Sequence, residues 1–165
     1  MPHLETARLQ LVPMTYDIVK AAVTDPAEVG RLLGVSVAPG WPGPDYAEVL
    51  PRILAAWERN GTREDWDGLI LLKAENQLIG DAGLHGTADP AGTVEIGYSI
   101  APGHRRQGYA YEMARALTDW ALARPEVRRV VAQVEPTNQP SIRVVERLGM
   151  RLVATGEMLD WELSR

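Results

Sequence analysis

The 165-residue sequence contains no cysteine, and that absence removes disulfide bridges, thiolate nucleophiles and cysteine-based metal sites together. Histidine is scarce: His3, His85 and His104 are the three. No two stand four residues apart, so the helical ligand spacing of a zinc enzyme is missing. Long apolar runs are missing too. The longest charge-free stretch, residues 32–44, is thirteen residues with three prolines, short of the ~18 apolar residues of a membrane span. Glu5 and Arg8 interrupt the apolar window that a signal peptide would need. Together these absences predict a cytoplasmic protein without a membrane span. Neither GxGxxG nor GxxxxGK[ST] occurs, which removes the main support for dinucleotide-binding and P-loop readings. There is no internal repeat and no low-complexity segment.

The chain does have a globular balance, 45% hydrophobic and 24% charged, and its length suits one domain over residues 1–165. The net charge is -5, which argues against general nucleic-acid binding. Its distribution is uneven. Residues 1–100 carry 7 basic and 14 acidic side chains and residues 101–165 carry 10 basic and 8 acidic, so an anion is expected in the second part.

Residues 8–12 alternate at period two and read as a strand. Thr15 can cap a helix reaching residue 24, and Asp25-Pro26 restarts a short helix ending near Gly34. Residues 36–44 hold five Pro or Gly among nine and read as an ordered loop, with Trp41 as a plug at the core edge in preference to a substrate wall. Residues 45–60 form an amphipathic pattern with Val49, Ile53, Ala56 and Trp57 in register. Three strands follow, over 68–72, 78–84 and 94–101, as an antiparallel meander. A helix over 108–123, a strand over 129–135, a helix over 138–148 closed by Gly149, and strands over 151–154 and 158–163 complete the chain. The order predicts an α+β fold with a mixed, mostly antiparallel central sheet flanked by helices, the 108–123 helix acting as the crossover.

Two segments carry chemistry. In the first, a strand ends at Pro102, and a turn with Arg105 and Arg106 leads into a helix opening at Gly108. Free N–H groups and the positive end of the helix dipole then meet where no side chain blocks approach, an arrangement suited to phosphate. A solvated arginine pair beside an ordinary glycine turn is the competing reading. Gly97-Tyr98-Ser99-Ile100-Ala101 looks like a degenerate nucleophile elbow, but Ser99 sits within a strand, not at a strand-to-helix turn. In the second segment Asn138 is a helix cap, Pro140 fits a first turn, and Ser141 is left facing the helix start.

Together these segments resemble the GNAT N-acetyltransferase superfamily. Its R/Q-x-x-G-x-G/A signature is matched by Arg105, Arg106, Gln107, Gly108, Tyr109 and Ala110, and its N-x-x-S/A helix followed by L-G-hydrophobic by Asn138, Ser141 and Leu148-Gly149-Met150. The opening LETARLQLVPM is most similar to the RimJ/RimL-like branch, whose members acetylate ribosomal-protein N-termini. The resemblance spans residues 4–163 and implies a GNAT-like acyl-CoA N-acyltransferase fold with acetyl-CoA as acetyl donor. It implies that the pyrophosphate rests on the N–H groups of residues 106–110 with Arg105 and Arg106 near its phosphates. The pantetheine arm would pair with strand backbone around Tyr98, Ser99 and Ile100, and Asn138 and Ser141 would contact it.

An attacking ammonium must lose a proton, so a base is needed near the strand presenting the thioester. Alternation places Glu95, Gly97, Ser99 and Ala101 on one face, a carboxylate over three small residues. Composition alone reads Glu95 as a solvated strand residue; the resemblance reads it as the general base. A strand bulge, common in the family, would shift this parity. Many relatives place a tyrosine in the second helix to protonate the departing thiolate, but Val145 occupies that position here, leaving Ser141 as acid or as ligand. Alternation puts Tyr98 on the Ile100 side, where core packing accounts for it, and His104 reads as turn packing. The resemblance therefore implies an N-acetyltransferase acting on a primary amine, either a protein N-terminus or a small molecule such as an aminoglycoside. A non-catalytic acyl-CoA-binding module of the same fold is the alternative. The acidic first part suits a cationic acceptor, and a homodimer stays open.

Overall fold

In the computed structural model, which describes residues 4–61 and 66–165, nine strands form one sheet in the order β1-β2-β4-β5-β6-β7-β9-β8, with β3 pairing separately on β5. His3 lies outside the described residues. The chain opens with β1 (Leu4–Glu5), too short to show a period, and β2 (Leu9–Pro13), whose alternation buries Leu9 and Leu11 completely. Thr15 caps α1 (Tyr16–Thr24) by accepting from the Ile18 N–H at 3.3 Å, and Asp25 caps α2 (Pro26–Leu33) by accepting from the Ala27 N–H at 3.0 Å. Within the proline-rich stretch expected to be a loop, Ser36–Val37 forms β3, parallel to β5. Trp41 is buried, as a core plug should be, and precedes a cis peptide to Pro42.

α3 (Pro44–Asn60) differs from the expected register. Leu50 and Trp57, one heptad apart, form its buried stripe, while Val49 is exposed. The meander is as expected: β4 (Trp66–Leu72), β5 (Gln77–Leu84) and β6 (Thr93–Ile100) are antiparallel neighbours. α4 (Tyr109–Leu122) carries the crossover to β7 (Arg129–Val134), which lies parallel to β6. Its buried side includes Met113, Ala114, Leu117 and Ala121, whereas Ala110 is only half-buried. α5 (Gln139–Leu148) ends at Gly149, and β8 (Arg151–Thr155) and β9 (Leu159–Ser164) close the sheet.

The register assigns each strand residue to a face. Pairing of β5 with β6 runs unbroken from Leu84↔Ile96 to Gly80↔Ile100. No bulge interrupts β6, so the alternation of Glu95, Gly97 and Ser99 against Ile96, Tyr98 and Ile100 holds along the strand. The irregularity lies one strand away, between Ile70 and Leu71 of β4. The Trp41 indole meets Asp81 and Asp81 meets Ser99, so the β3–α3 loop covers the Glu95 face. Tyr98 reaches the α5 backbone and α5 packs on α4, so α5 and α4 lie over the opposite face. Among the described residues no helix is long and apolar enough to cross a membrane.

Candidate active site

β6 and β7 part company after three paired residues. Thr93, Val94 and Glu95 pair with Arg129, Val130 and Val131, and beyond them the two strands continue without pairing to each other. Two ladder bonds fix the phase along β6. The His85 N–H donates to the Glu95 C=O and the Ala101 N–H to the Ile79 C=O, each at 2.8 Å. Residues 95, 97, 99 and 101 therefore turn their backbone groups toward β5, and Tyr98 and Ile100 turn theirs into the gap. Ser99 departs here from the expected pantetheine edge, because its backbone belongs to the β5 ladder and its hydroxyl donates to Asp81 at 2.8 Å. The open edge is Tyr98 and the Ile100 N–H, since the Ile100 C=O accepts from Arg105 Nε at 2.9 Å.

That edge runs into the anion loop. Arg106 (φ +63°) and Gly108 (φ +84°) both adopt left-handed backbone, and the first α4 bond runs from the Glu112 N–H to the Gly108 C=O at 3.0 Å. The N–H groups of residues 106–111 precede that bond and have no backbone acceptor among the described residues, as a helix start requires. They form the site that the dipole of α4 makes favourable for an anion. Tyr109 is buried and Ala110 half-buried behind the loop, while Gln107 is exposed. Arg105 is tied to the strand end and Arg106 is exposed.

Arg8, which the sequence pattern marked only as a strand residue, braces this loop. Its guanidinium donates to the Gln107 C=O at 3.0 Å, pairs with Glu112 at 2.7 Å and lies 4.4 Å from the centre of the Tyr109 ring. Partial burial pushes the Glu112 carboxyl up, but the Thr6 hydroxyl, the backbone Arg8 N–H and the Arg8 guanidinium together hold it below its usual range. A long-range contact of this kind has no local sequence signal.

On the α4/α5 side of the gap, Asn138 Oδ1 accepts from the Ser141 N–H at 3.2 Å, which makes it the α5 cap. The Tyr98 hydroxyl donates to the Ser141 C=O at 3.5 Å. Tyr98 is thus more than core packing: it joins the open strand to the start of α5, and burial pushes its phenol up to about 12. Val145 is fully buried. His104 turns Nε2 toward Glu75 at 3.3 Å and packs its Nδ1 out of solvent, as a turn residue would.

The opposite face holds the carboxylates. Glu95 lies half-buried with His85 Nδ1 3.7 Å from its Oε1. The imidazole holds the Glu95 carboxyl below its ordinary value, and partial burial opposes it. Two rows along, Asp81 is 5% exposed and accepts from Trp41 Nε1 at 3.0 Å and from the Ser99 hydroxyl. Burial raises its carboxyl to about 7, the two hydrogen bonds pull it down, and nearby Asp67 pushes it up. Between these rows the floor is glycine: a Cβ on Gly83 would collide with Asp67, and one on Gly97 would meet the His85 ring. Tyr46, in the first turn of α3, has its phenol raised well above the usual range by burial and then by the charges of Asp81 and Asp67. The site therefore separates a carboxylate with a depressed pKa on one face of β6 from the Tyr98 hydroxyl on the other, with an open backbone edge between them.

Sequence reasoning named Glu95, Tyr98, Ser141 and the anion loop, and it missed Asp81, His85 and Arg8. A charged residue inside the apolar run Leu78-Ile79-Gly80-Asp81-Ala82 was a signal for Asp81. His85 had none, because a connection as long as residues 85–92 leaves the hairpin register free.

Comparison with known proteins gives one consistent family. The model of the acetyltransferase (GNAT) domain matches residues 8–151. The uncharacterized N-acetyltransferase YjdG of Bacillus subtilis (strain 168) is 33% identical over 153 residues, covering 92% of this chain and 91% of its own. Among solved structures, an acetyltransferase from Agrobacterium tumefaciens str. C58 superposes with a TM-score of 0.65 at 28% identity, covering 100% of this chain and 95% of its own. RimL, a ribosomal L7/L12 alpha-N-protein acetyltransferase solved in complex with coenzyme A, shares the fold at a TM-score of 0.66 and 17% identity, over 99% of this chain and 98% of its own.

Proposed function

Because the chain belongs to the GNAT acetyltransferase family and is an N-acetyltransferase by that membership, we propose that it transfers the acetyl group of acetyl-CoA directly to a primary amine, with Glu95 as general base. The observation that carries this reading is the parting of β6 and β7. It leaves a backbone edge at Tyr98 and Ile100 that leads straight to the unpaired N–H groups of residues 106–111, and Glu95 stands on the far side of the same strand. Extended pantetheine fits such an edge by adding itself as a strand, and pyrophosphate fits the helix start. Arg106 is exposed at that end, while Arg8 braces the loop and is paired with Glu112.

Acetyl-CoA supplies an activated thioester. Glu95, ionised at neutral pH as an ordinary carboxylate is and held further below its usual value by His85, takes a proton from the incoming ammonium. A backbone N–H on the open edge donates to the carbonyl oxygen as charge builds on it, a contribution of ~3 kcal/mol per donor in acyl transfer. The Tyr98 phenol and the Ser141 hydroxyl are the donors available to the sulfur; burial keeps the phenol protonated well past neutral pH. Transfer without an acyl-enzyme fits a chain lacking cysteine. The acceptor is a cationic amine, a protein N-terminus or a small molecule, since Asp67, Asp81 and Glu95 share the face it approaches.

The test is release of CoA thiol with a panel of amines and N-terminal peptides, for wild type and Glu95→Gln. Turnover in wild type and a loss of 100-fold or so in the variant is the expected result, in the range that one general base contributes. A thermal shift with acetyl-CoA but no release with any amine would leave only a binding module.

A further inference from the structure

Glu95 has a titratable neighbour to which neither the sequence motifs nor the proposed reaction gives a role. His85 stands directly across the ladder from Glu95, its N–H on the Glu95 C=O, so the two side chains rise from the same face. The imidazole Nδ1 is 3.7 Å from Glu95 Oε1. The ring then extends over Gly97, where an added Cβ would lie 3.0 Å from Nε2. Glycine at 97 is what allows the imidazole to lie across β6. The His85 side chain is 60% exposed and that of Glu95 36%, so the ring connects the carboxylate to bulk water.

We propose that His85 is the proton exit of the acceptor site, taking from Glu95 the proton that Glu95 removes from the ammonium and passing it to solvent. The proposal rests on the reading of Glu95 as the base. The proton balance is complete. One ammonium proton goes to Glu95 Oε1, on to His85 Nδ1, and a proton leaves from Nε2 to water. The amine lone pair forms the C–N bond, the C–S bond breaks with its electrons on sulfur, and a second nitrogen proton ends on that sulfur. The 3.7 Å separation is longer than a transfer contact, and rotation of exposed side chains closes such gaps in picoseconds to nanoseconds.

Among the described residues the charged groups facing His85 are Glu95 on β6 and Asp67 on β4. Contact with Glu95 raises the imidazole pKa most, desolvation opposes it, and the charges of Glu95 and then Asp67 add to the rise. His85 accepts a proton only when neutral, so turnover should climb as pH rises through the imidazole pKa.

The experiment is the pH profile of kcat at saturating acetyl-CoA for wild type, His85→Gln, His85→Ala and Glu95→Gln, with added imidazole as a separate arm. Expected is a wild-type acid limb that His85→Gln abolishes, with kcat down about tenfold near pH 8, KM for acetyl-CoA unchanged, and partial rescue of His85→Ala by imidazole. Superimposable profiles for wild type and both His85 variants, with Glu95→Gln inactive, would overturn the exit while leaving the base in place. If Glu95→Gln also matched wild type, the base assignment itself would fall.

Discussion

Replacing Asp81 with asparagine should stabilise the protein at mildly alkaline pH and change little at acid pH. The carboxyl is 5% exposed, and burial raises it from an ordinary 3.8 to about 7 despite hydrogen bonds from Ser99 and Trp41. Between about pH 4 and about pH 7 the native chain holds this proton and the unfolded chain has released it, so the free energy of unfolding falls as pH rises through that window. At about 1.4 kcal/mol per pH unit, the penalty is about 4 kcal/mol once pH exceeds 7. Asparagine is nearly isosteric, and its amide oxygen can accept from both Trp41 and Ser99 without a charge. Urea denaturation of wild type and Asp81→Asn at about pH 4.5 and about pH 8 isolates the effect, because all other titrating groups are common to both. The variant should gain on wild type between the two conditions by about 3 kcal/mol, the share of the penalty that develops above about pH 4.5. A stability difference that is the same at both pH values would refute the reasoning.

Four further outcomes are expected. Gly108→Ala puts a Cβ on left-handed backbone at the anion loop, at a cost of about 1–2 kcal/mol; the melting temperature should fall and the thermal shift on adding acetyl-CoA should shrink. Tyr98→Phe keeps the ring and removes the hydroxyl, so it should lower kcat with little change in KM if the phenol protonates the sulfur, and leave kcat unchanged if Ser141 does. Trp41→Phe removes one donor to Asp81, at a cost of about 1–3 kcal/mol for a buried group losing its partner, and should raise KM for the amine more than for acetyl-CoA. Gly97→Ala should push the His85 ring aside and reproduce the pH profile of the His85 variants in part; a profile identical to wild type would count against that placement.

The legible parts of the chain were those governed by local rules. Thr15, Asp25, Gly34, Asn138 and Gly149 end helices as caps do, and the sequence marks each one. Alternation in residues 94–101 placed Glu95 correctly because β6 has no bulge. The rest depended on tertiary register. Pairing of β5 with β6 brings His85 opposite Glu95 and Asp81 opposite Ser99, and nothing in either strand alone fixes that register across an eight-residue connection. The stripe of α3 moved from Val49 to Leu50 because the buried partner surface, set by Trp57, selects which of two adjacent apolar residues turns inward. Ser99 looked available for the cofactor until the ladder claimed its backbone and Asp81 its hydroxyl.

The uneven charge of the chain acquires a location in the fold. The acidic first part supplies Asp67, Asp81 and Glu95 on three adjacent strands and one face, while the more basic remainder supplies the anion loop at the open end of β6. A cation approaching the carboxylate face and an anion held at the loop are thus drawn to opposite sides of one strand, and only where β7 has parted from β6 can they meet. Those carboxylates differ in what they can do there. Glu95, depressed by His85, stays ionised, whereas Asp81, raised by burial to about 7, is bound to two donors. An amine acceptor on this face would meet Glu95, the proposed base, and Asp81, the carboxyl that holds the Trp41 loop to the sheet. This division predicts that Glu95→Gln acts on kcat and that Asp81→Asn acts on stability and on KM for the amine, and steady-state kinetics of the two variants on one acceptor would separate them.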